Sequence, residues 1–479
     1  VEQRIDEKDN LYDCFRNYDY DFLKDTEIKV RVKIRQNDVY CKVWKVDCFG
    51  NADLYLLDTD IEENNNRWIT GRLYGEGAEE RIAQEMVLGI AGVRALRALN
   101  IPVDIYHFNE GHAVLAGLEL MNEKMNTGMS FDKAWKLTRK EVVFTTHTPV
   151  KAGNERHNIE TLTYMGANLG FSVEQMSRLG GIPFNMTVAA LRISRKSNAV
   201  SKLHTETANK MWAEIENKSK IIRITNAIHV GTWVDKRMRK KFLNLDEMWN
   251  NHQEIKKELI DFVEKQCGVR LNLNTLLIGF SRRAASYKRS DLIFKDERQL
   301  EKYLKDGKVQ IIFSGKAHPA DTRGKKIVLN LVEMSRKYPN SVVFIENYDM
   351  EIGRMLTRGC DVWLNNPRRL NEASGTSGMK AAMNGVLNCS ILDGWWPEAC
   401  NDGINGWAIG DKNIPETVEE QDEKDAKALY DTLLGRVIPT YYNHHQKWLE
   451  MMKESIESTR TFFSVDRMVN DYYKLLYKK

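Results

Sequence analysis

Between Glu372 and Lys380 the chain reads EASGTSGMK. Ser374, Gly375, Thr376, Ser377 and Gly378 crowd small residues together, and the run KAAMNGV opens at the lysine. Two readings are open. One is a capped turn. The other is a loop whose backbone N–H groups cradle an anion at the start of a helix. Glycines let the backbone approach a phosphate closely. Lys380, in the first turn of that helix, would either pair the anion's charge or form an imine with an aldehyde. Pyridoxal phosphate offers an aldehyde and a phosphate together.

A second group lies in FSRRAASYKRS, where Arg282, Arg283, Lys288 and Arg289 follow a strand-like run. This is either a solvated basic helix start or a set of cations aimed at anions. Cations at a helix N-terminus oppose the macrodipole, so they are better tolerated facing anions. Arg meets phosphate by bidentate hydrogen bonds and Lys as a point charge. Two phosphates side by side would call for this density. Polar residues also end three other strand-like runs: His147 in FTTHTP, Asn109, Glu110 and His112 in YHFNEGHAVLA, and Asn226 in IRITNAIHVGTW. Taken together they read as a polar, sugar-like pocket. No HExxH, zinc-type spacing or GxSxG is present, so no metal site is expected, and GEGAEE at Gly75 lacks the dinucleotide spacing.

The elements that must position these residues alternate between two periods. Lys29 to Ile34 and Val39 to Val46 alternate β-branched and polar residues around RQND, which predicts a hairpin. Gly77 to Leu99 is helical, with Ile82, Met86, Val87 and Ile90 on one stripe. VDIYHFN and EVVFTTHTP, separated by a long helical stretch, follow strand–helix–strand logic. NTLLIGF, KVQIIFSGKAHP, SVVFIENYD and CDVWLNN begin a second series, which GVLNCSILDGWW closes. Trp233 to Lys265 is charged and helical, and SVDRMVNDYYKLLYKK reads as a surface helix with a capping serine. In open α/β sheets ligands bind beyond the carboxyl ends of the strands, where the polar residues fall. The expectation is therefore two α/β domains facing a cleft, suited to transfer between two substrates. The first spans 1–228, on the side of the sugar-like pocket. The second spans 229–455, on the side of the anion loop and Lys380. A helix over 456–479 crosses back to the first.

Composition excludes several classes. The 479 residues exceed one comfortable core. A net charge of +4 argues against nucleic acid and anionic membranes, and no run is apolar enough to span a bilayer. The seven cysteines, Cys14, Cys41, Cys48, Cys267, Cys360, Cys389 and Cys400, form no CxxC pair, which points to a reducing cytoplasm rather than a disulfide framework. Val1 is no initiator methionine, so the chain is expected to begin inside a longer protein.

EASGTSGMKAAMNG resembles the cofactor-lysine signature of the glycogen and α-glucan phosphorylases. HFNEGHAVLA, FTTHTPVKAGNE, ITNAIHVGTW, RRAASYKR, FSGKAHP, VVFIENYD and FFSVDR extend the resemblance over nearly the whole chain, on the side of the shorter bacterial enzymes. It implies two Rossmann-like domains of the GT-B type and a pyridoxal phosphate held by Lys380 as a Schiff base. Thr376, Ser377, Gly378, Arg282 and Tyr348 would bind the cofactor. Arg283 and Lys288 would bind substrate phosphate, with Tyr287 lining the site. His147, Asn226, Glu372, Ser374 and Gly375 would hold the transferred glucosyl unit, and Glu110 and His112 would lie near the glucan acceptor. The implied reaction is retaining phosphorolysis of an α-1,4-glucan by inorganic phosphate, and a homodimer is a family expectation. Two departures stand out. Ser377 and Gly378 replace the Gly-Asn of longer relatives, and Val1 falls after the place of the family's upstream glycine-rich GGLG segment, which is either cut from this chain or lacking in the protein. A retaining glycosidase needs two carboxylates about 5 Å apart, and no such pair is evident. A phosphorylase needs none, because phosphate serves as acid and then nucleophile. The rival readings are a nucleotide-sugar glycosyltransferase of the same fold and an inactive glucan-binding fragment.

Overall fold

The computed structural model describes residues 1–479 apart from 9, 17, 19, 74–76, 242, 243 and 479. Gly75 and Glu76 of the GEGAEE run therefore lie outside the described residues. The chain divides into two compact units. The first holds residues 17–200, 205–224 and 472–479, and the second holds 1–16, 201–204 and 225–471. The opening 16 residues thus group with the second unit, not with the amino-terminal domain as expected from the sequence.

In the first unit, β1 (Lys24–Ile34), β2 (Asn37–Val46) and β3 (Leu54–Asp58) form an antiparallel meander. The hairpin matches the sequence alternation, with Ile34 opposite Asn37 across the turn. Helix α1 (Ala78–Met86) continues through a π-turn at Val87–Ala91 into Gly92–Ala98. Its stripe of Ile82, Met86, Val87 and Ile90 is buried. At the π-turn, a Cβ on Gly89 would lie 2.6 Å from the amide nitrogen of Ala116, so only glycine lets the next helix pack this closely. Strands β4 (Tyr106–Asn109), β5 (Val142–Thr146), β6 (Lys196–Ala199) and β7 (Lys220–Arg223) form a parallel sheet in the order β7-β6-β5-β4. Two helices, α2 (Val114–Asn126) and α3 (Phe131–Glu141), join β4 to β5 in place of the single long stretch expected.

The second unit is a six-stranded parallel sheet of β8 (Leu276–Ser281), β9 (Val309–Ser314), β10 (Val342–Ile345), β11 (Val362–Asn365), β12 (Leu387–Ile391) and β13 (Gly406–Ile409). Its order, β10-β9-β8-β11-β12-β13, reverses direction between β8 and β11. Such a doubly wound sheet opens a crevice at that switch point. Strand β13 lies beyond the segment expected to close the series; four residues opening on glycine carry little strand signal. The helix expected from Trp233 begins only at Leu245, as α4 (Leu245–Cys267). Asp235 and Asn244 each turn a side-chain oxygen onto following backbone N–H groups, at Arg237 and at Asp246 and Glu247, which favours turns and a cap over a continuous helix. Near the carboxyl end, Ser464 caps a helix over Val465–Asp471, as its sequence indicated.

One buried ion group ties α4 to this sheet. Asp361, fully buried before β11, accepts from His252 at 2.9 Å and from Lys256 at 2.6 Å, and both partners are buried. Burial works against the charge on Asp361, but Lys256 and His252 hold its carboxyl below the ordinary range. Removing one partner of a buried ion pair costs about 3–5 kcal/mol. Lys256→Met is expected to lower the unfolding free energy by about that amount in urea titrations, and a loss below about 1 kcal/mol would show that His252 alone compensates Asp361.

Candidate active site

The switch point of the second unit gathers most of the residues singled out in its sequence. Arg282 follows β8 directly and donates to the side-chain oxygen of Asn365, the last residue of β11. The two strand ends that define the crevice are thus joined by a cation. The other arm of Arg282 donates to Glu372 Oε2 at 2.6 Å, and the same oxygen accepts from Lys288 Nζ at 2.6 Å. Lys288 and Glu372 are buried, and Arg282 is nearly so. Burial opposes the Glu372 charge, but Arg282 and Lys288 hold its carboxyl low. Burial pushes the Lys288 amine down to about 8, helped by Arg282 and opposed by Glu372. Burial and Glu372 push the Tyr287 phenol up to about 12. Arg283 is exposed. Tyr348 is half-buried, follows β10 and faces Ser281 and Arg282.

The EASGTSGMK loop ends in α5 (Thr376–Ala382), a short helix capped by Gly375 in the left-handed region at φ 76°. Its first-turn amides, at Thr376, Ser377 and Gly378, have no intrahelical acceptors. The Ser377 hydroxyl accepts from Trp363 Nε1 at 3.2 Å. A Cβ on Gly378 would lie 2.6 Å from Asn388 Oδ1 and 2.8 Å from Trp395 Nε1, so the second residue of the Ser377–Gly378 departure has no room for a side chain. Lys380 extends its amine over the Trp233 ring, 3.2 Å from the centroid. No carboxylate among the described residues pairs with it, and burial pushes it down to about 8. The side chain of Ser374 is buried, and its hydroxyl has no hydrogen-bond partner among the described residues.

In the first unit, Asn109, Glu110 and His147 meet at the ends of β4 and β5. His147 Nε2 lies 2.8 Å from Asn109 Oδ1. With that oxygen as acceptor, Nε2 carries the proton and Nδ1 remains an acceptor. Burial lowers the His147 imidazole, which favours its neutral form. Glu110 adopts φ 68° and turns its carboxylate inward, accepting from His147 N at 2.7 Å and from Thr148 Oγ1 at 2.9 Å. Both oxygens serve its own loop, because Oε1 accepts from Gly111 N. His112 lies against Arg81 and Glu155. Glu85, His112 and Glu155 place ligand-type atoms within 4.8 Å of one another. The Arg81 guanidinium, 2.8 and 2.9 Å from the Glu155 oxygens, already supplies a cation there. Asn226, in the second unit, is half-buried and gives its carbonyl to Arg467.

The sequence did not single out four residues that complete these arrangements. Trp233 sheathes Lys380. Buried Asn384 ties the Lys380 helix to the Trp233 segment, donating to both Lys380 O and Trp233 O. Asn365 holds Arg282. Asp393, pushed up to about 7 by burial, accepts from the amides of Glu372 and Gly394. The LDGWW run held the signal for Asp393, as a polar residue at a strand end; the other three depend on tertiary contacts.

A doubly wound parallel sheet with two cations paired to one buried carboxylate at its switch point, and a desolvated lysine on the helix that follows the same loop, defines the second unit as an α/β domain. The family model for carbohydrate phosphorylases matches residues 235–400. The chain is 38% identical to a maltodextrin phosphorylase of Thermococcus litoralis, over 95% of this chain and 61% of that protein. It is 37% identical to a glycogen phosphorylase of Aquifex aeolicus, over 94% of this chain and 74% of that one. An uncharacterized protein of Methanocaldococcus jannaschii is 35% identical, over 96% of this chain and 86% of its own length. The chain belongs to the carbohydrate phosphorylase family. It spans about three fifths of the length of the Thermococcus relative.

Two measurements probe this geometry. Competitive acylation across pH is expected to show Lys380 reacting with a midpoint near about 8, against about 10.4 for exposed lysines. A Lys380 midpoint at the exposed value would mean that its amine is solvated. Gly378→Ala is expected to cost about 1–3 kcal/mol by overpacking, visible as a lowered Tm; an unchanged Tm would place the Asn388 and Trp395 contacts elsewhere.

Proposed function

We propose that the chain is an α-glucan phosphorylase of the two-lobed glycosyltransferase class. It would transfer the terminal glucosyl unit of an α-1,4-glucan to inorganic phosphate with retention, giving α-D-glucose 1-phosphate. The observation that carries this reading is the buried Arg282–Glu372–Lys288 cluster at the switch point, with the loop that carries Glu372 leading into the short helix that carries the desolvated Lys380 amine. Relatives bearing the names maltodextrin phosphorylase and glycogen phosphorylase support it.

The residues fit pyridoxal phosphate on three counts. A lysine amine depressed to about 8 is substantially unprotonated, and so nucleophilic, at mildly alkaline pH. The Trp233 ring offers an aromatic face beside it. Buried polar atoms without partners among the described residues, Ser374 Oγ and Arg282 Nε, remain for a ligand. Lys380 would hold the cofactor, the amides of Thr376, Ser377 and Gly378 with Arg282 would hold its phosphate, and Tyr348 would stand beside it. When bound, the cofactor supplies a phosphate able to exchange a proton with substrate phosphate.

The chain's own groups would do the rest. Two phosphates in contact repel, and in a site poor in water that repulsion is large, so Arg282, Arg283 and Lys288 must balance it. An arriving anion favours the charged form of Lys288, offsetting its depressed pKa. Glu372 keeps both cations in place and stays ionised; with Ser374, Gly375 and Asn226 it would meet the glucosyl hydroxyls. Neutral His147, oriented by Asn109 and by the Glu110 carboxylate beneath its loop, would exchange a hydrogen bond with a sugar hydroxyl. The site's buried carboxylates are already engaged, Glu372 by cations and Asp393 by amides, which suits phosphate rather than a carboxylate pair as the acid and nucleophile.

Incubation with maltodextrin and inorganic phosphate is expected to yield glucose 1-phosphate. Lys380→Ala should abolish both that product and the near-ultraviolet absorbance of the bound cofactor. Release of free glucose alone, or transfer that requires a nucleoside diphosphate sugar, would overturn the proposal.

A further inference from the structure

We infer that Arg289 is a positioning residue that locks two site loops together and thereby sets phosphate affinity through Lys288. The inference rests on the phosphorylase reading of Lys288. Arg289 follows Lys288, sits in the left-handed region at φ 50° and is buried. Its Nε donates to Asn366 O at 2.9 Å, and its Nη2 donates to Pro367 O at 2.9 Å. On the other side it donates to Asp422 at 2.8 Å and to Asp425 at 2.7 Å, both on the helix α6 (Val418–Thr432). Asn366 returns a bond to Arg289 O at 2.8 Å.

Arg368 closes the frame from the opposite loop. It grips Asp422 with two bonds, at 2.9 and 2.6 Å. Its backbone N–H donates to Tyr287 O at 2.8 Å. The 282–289 loop, which carries Arg282 and Lys288, and the 366–375 loop, which carries Glu372 and Ser374, are therefore fastened to each other and to α6. Two arginines and two aspartates make the frame neutral. Burial opposes the charge on Asp422, but Arg368 and Arg289 keep its carboxyl low. The guanidinium is needed for its shape: it serves four acceptors from one plane, whereas a lysine has a single nitrogen and would leave a loop carbonyl unsatisfied. No atom of Arg289 needs to touch a substrate. Its effect would pass through the placement of Lys288 against Glu372.

The test uses the cofactor-loaded protein. Arg289→Lys is expected to raise the KM for inorganic phosphate about tenfold or more, since small misplacements of a binding group carry such penalties. The maltodextrin KM should stay within about twofold and the cofactor absorbance should persist, and on a Lys288→Ala background the same change should add less than about twofold, because both act on one interaction. Should Arg289→Lys fail to fold, Asp425→Asn, nearly isosteric and on the far side of the frame, should raise the phosphate KM in the same direction by a smaller factor. An unchanged phosphate KM in the variant that folds, an equal rise in both KM values, or effects that multiply fully with Lys288→Ala would overturn the inference while the wild-type chain still makes glucose 1-phosphate. A wild-type chain that makes none would overturn the phosphorylase reading instead.

Discussion

One carboxylate oxygen of Glu372 takes hydrogen bonds from two cations, Arg282 and Lys288, in a place nearly stripped of water. Charges in such a setting interact far more strongly than in solvent, and any one left alone would be costly. Much of the second unit can be read as a means of holding that group. The reversal of strand order brings the ends of β8 and β11 side by side. Asn365 fixes one arm of Arg282, and Asp393 fixes the backbone of Glu372. The frame around Arg289 and Arg368 keeps the two loops in register.

Lys380 obeys the opposite rule. It lacks a carboxylate partner among the described residues, so burial weakens its proton rather than pairing it. Trp233 covers the amine and Asn384 holds the covering segment in place. A few ångströms of backbone space, at Gly378 and at the left-handed Gly375, let the loop turn into its helix without pushing neighbours aside. A paired cluster and a lysine without a carboxylate partner among the described residues, joined by one loop, are the physical basis we propose for combining anion binding with covalent cofactor attachment.

The first unit solves a different problem, that of orienting a neutral imidazole. Glu110 accepts a left-handed backbone conformation and directs its carboxylate into the turn at His147 and Thr148. Such conformations are uncommon outside glycine and persist where surrounding bonds fix them. The family resemblance puts Glu110 near an acceptor sugar. The structure gives both of its oxygens to its own loop, so it serves His147 first.

The amino-acid sequence by itself determined the alternation of strands and helices, the polar character of the strand ends and the loop before Lys380. These follow from local periodicity and from residue types that act within a few positions. It also carried the family resemblance, because long motifs such as EASGTSGMKAAMNG keep their identity without any fold. It missed β13 and misplaced the start of α4, where a short glycine-led strand and side-chain caps outweighed pattern. Only the tertiary structure decided which cations share Glu372, which ring covers Lys380 and which arginine locks the loops. Those pairings join residues separated by many positions, such as Trp233 with Lys380 and Arg289 with Asp422. Burial and hydrogen-bond satisfaction select them once the sheet has formed, and no local pattern encodes that choice.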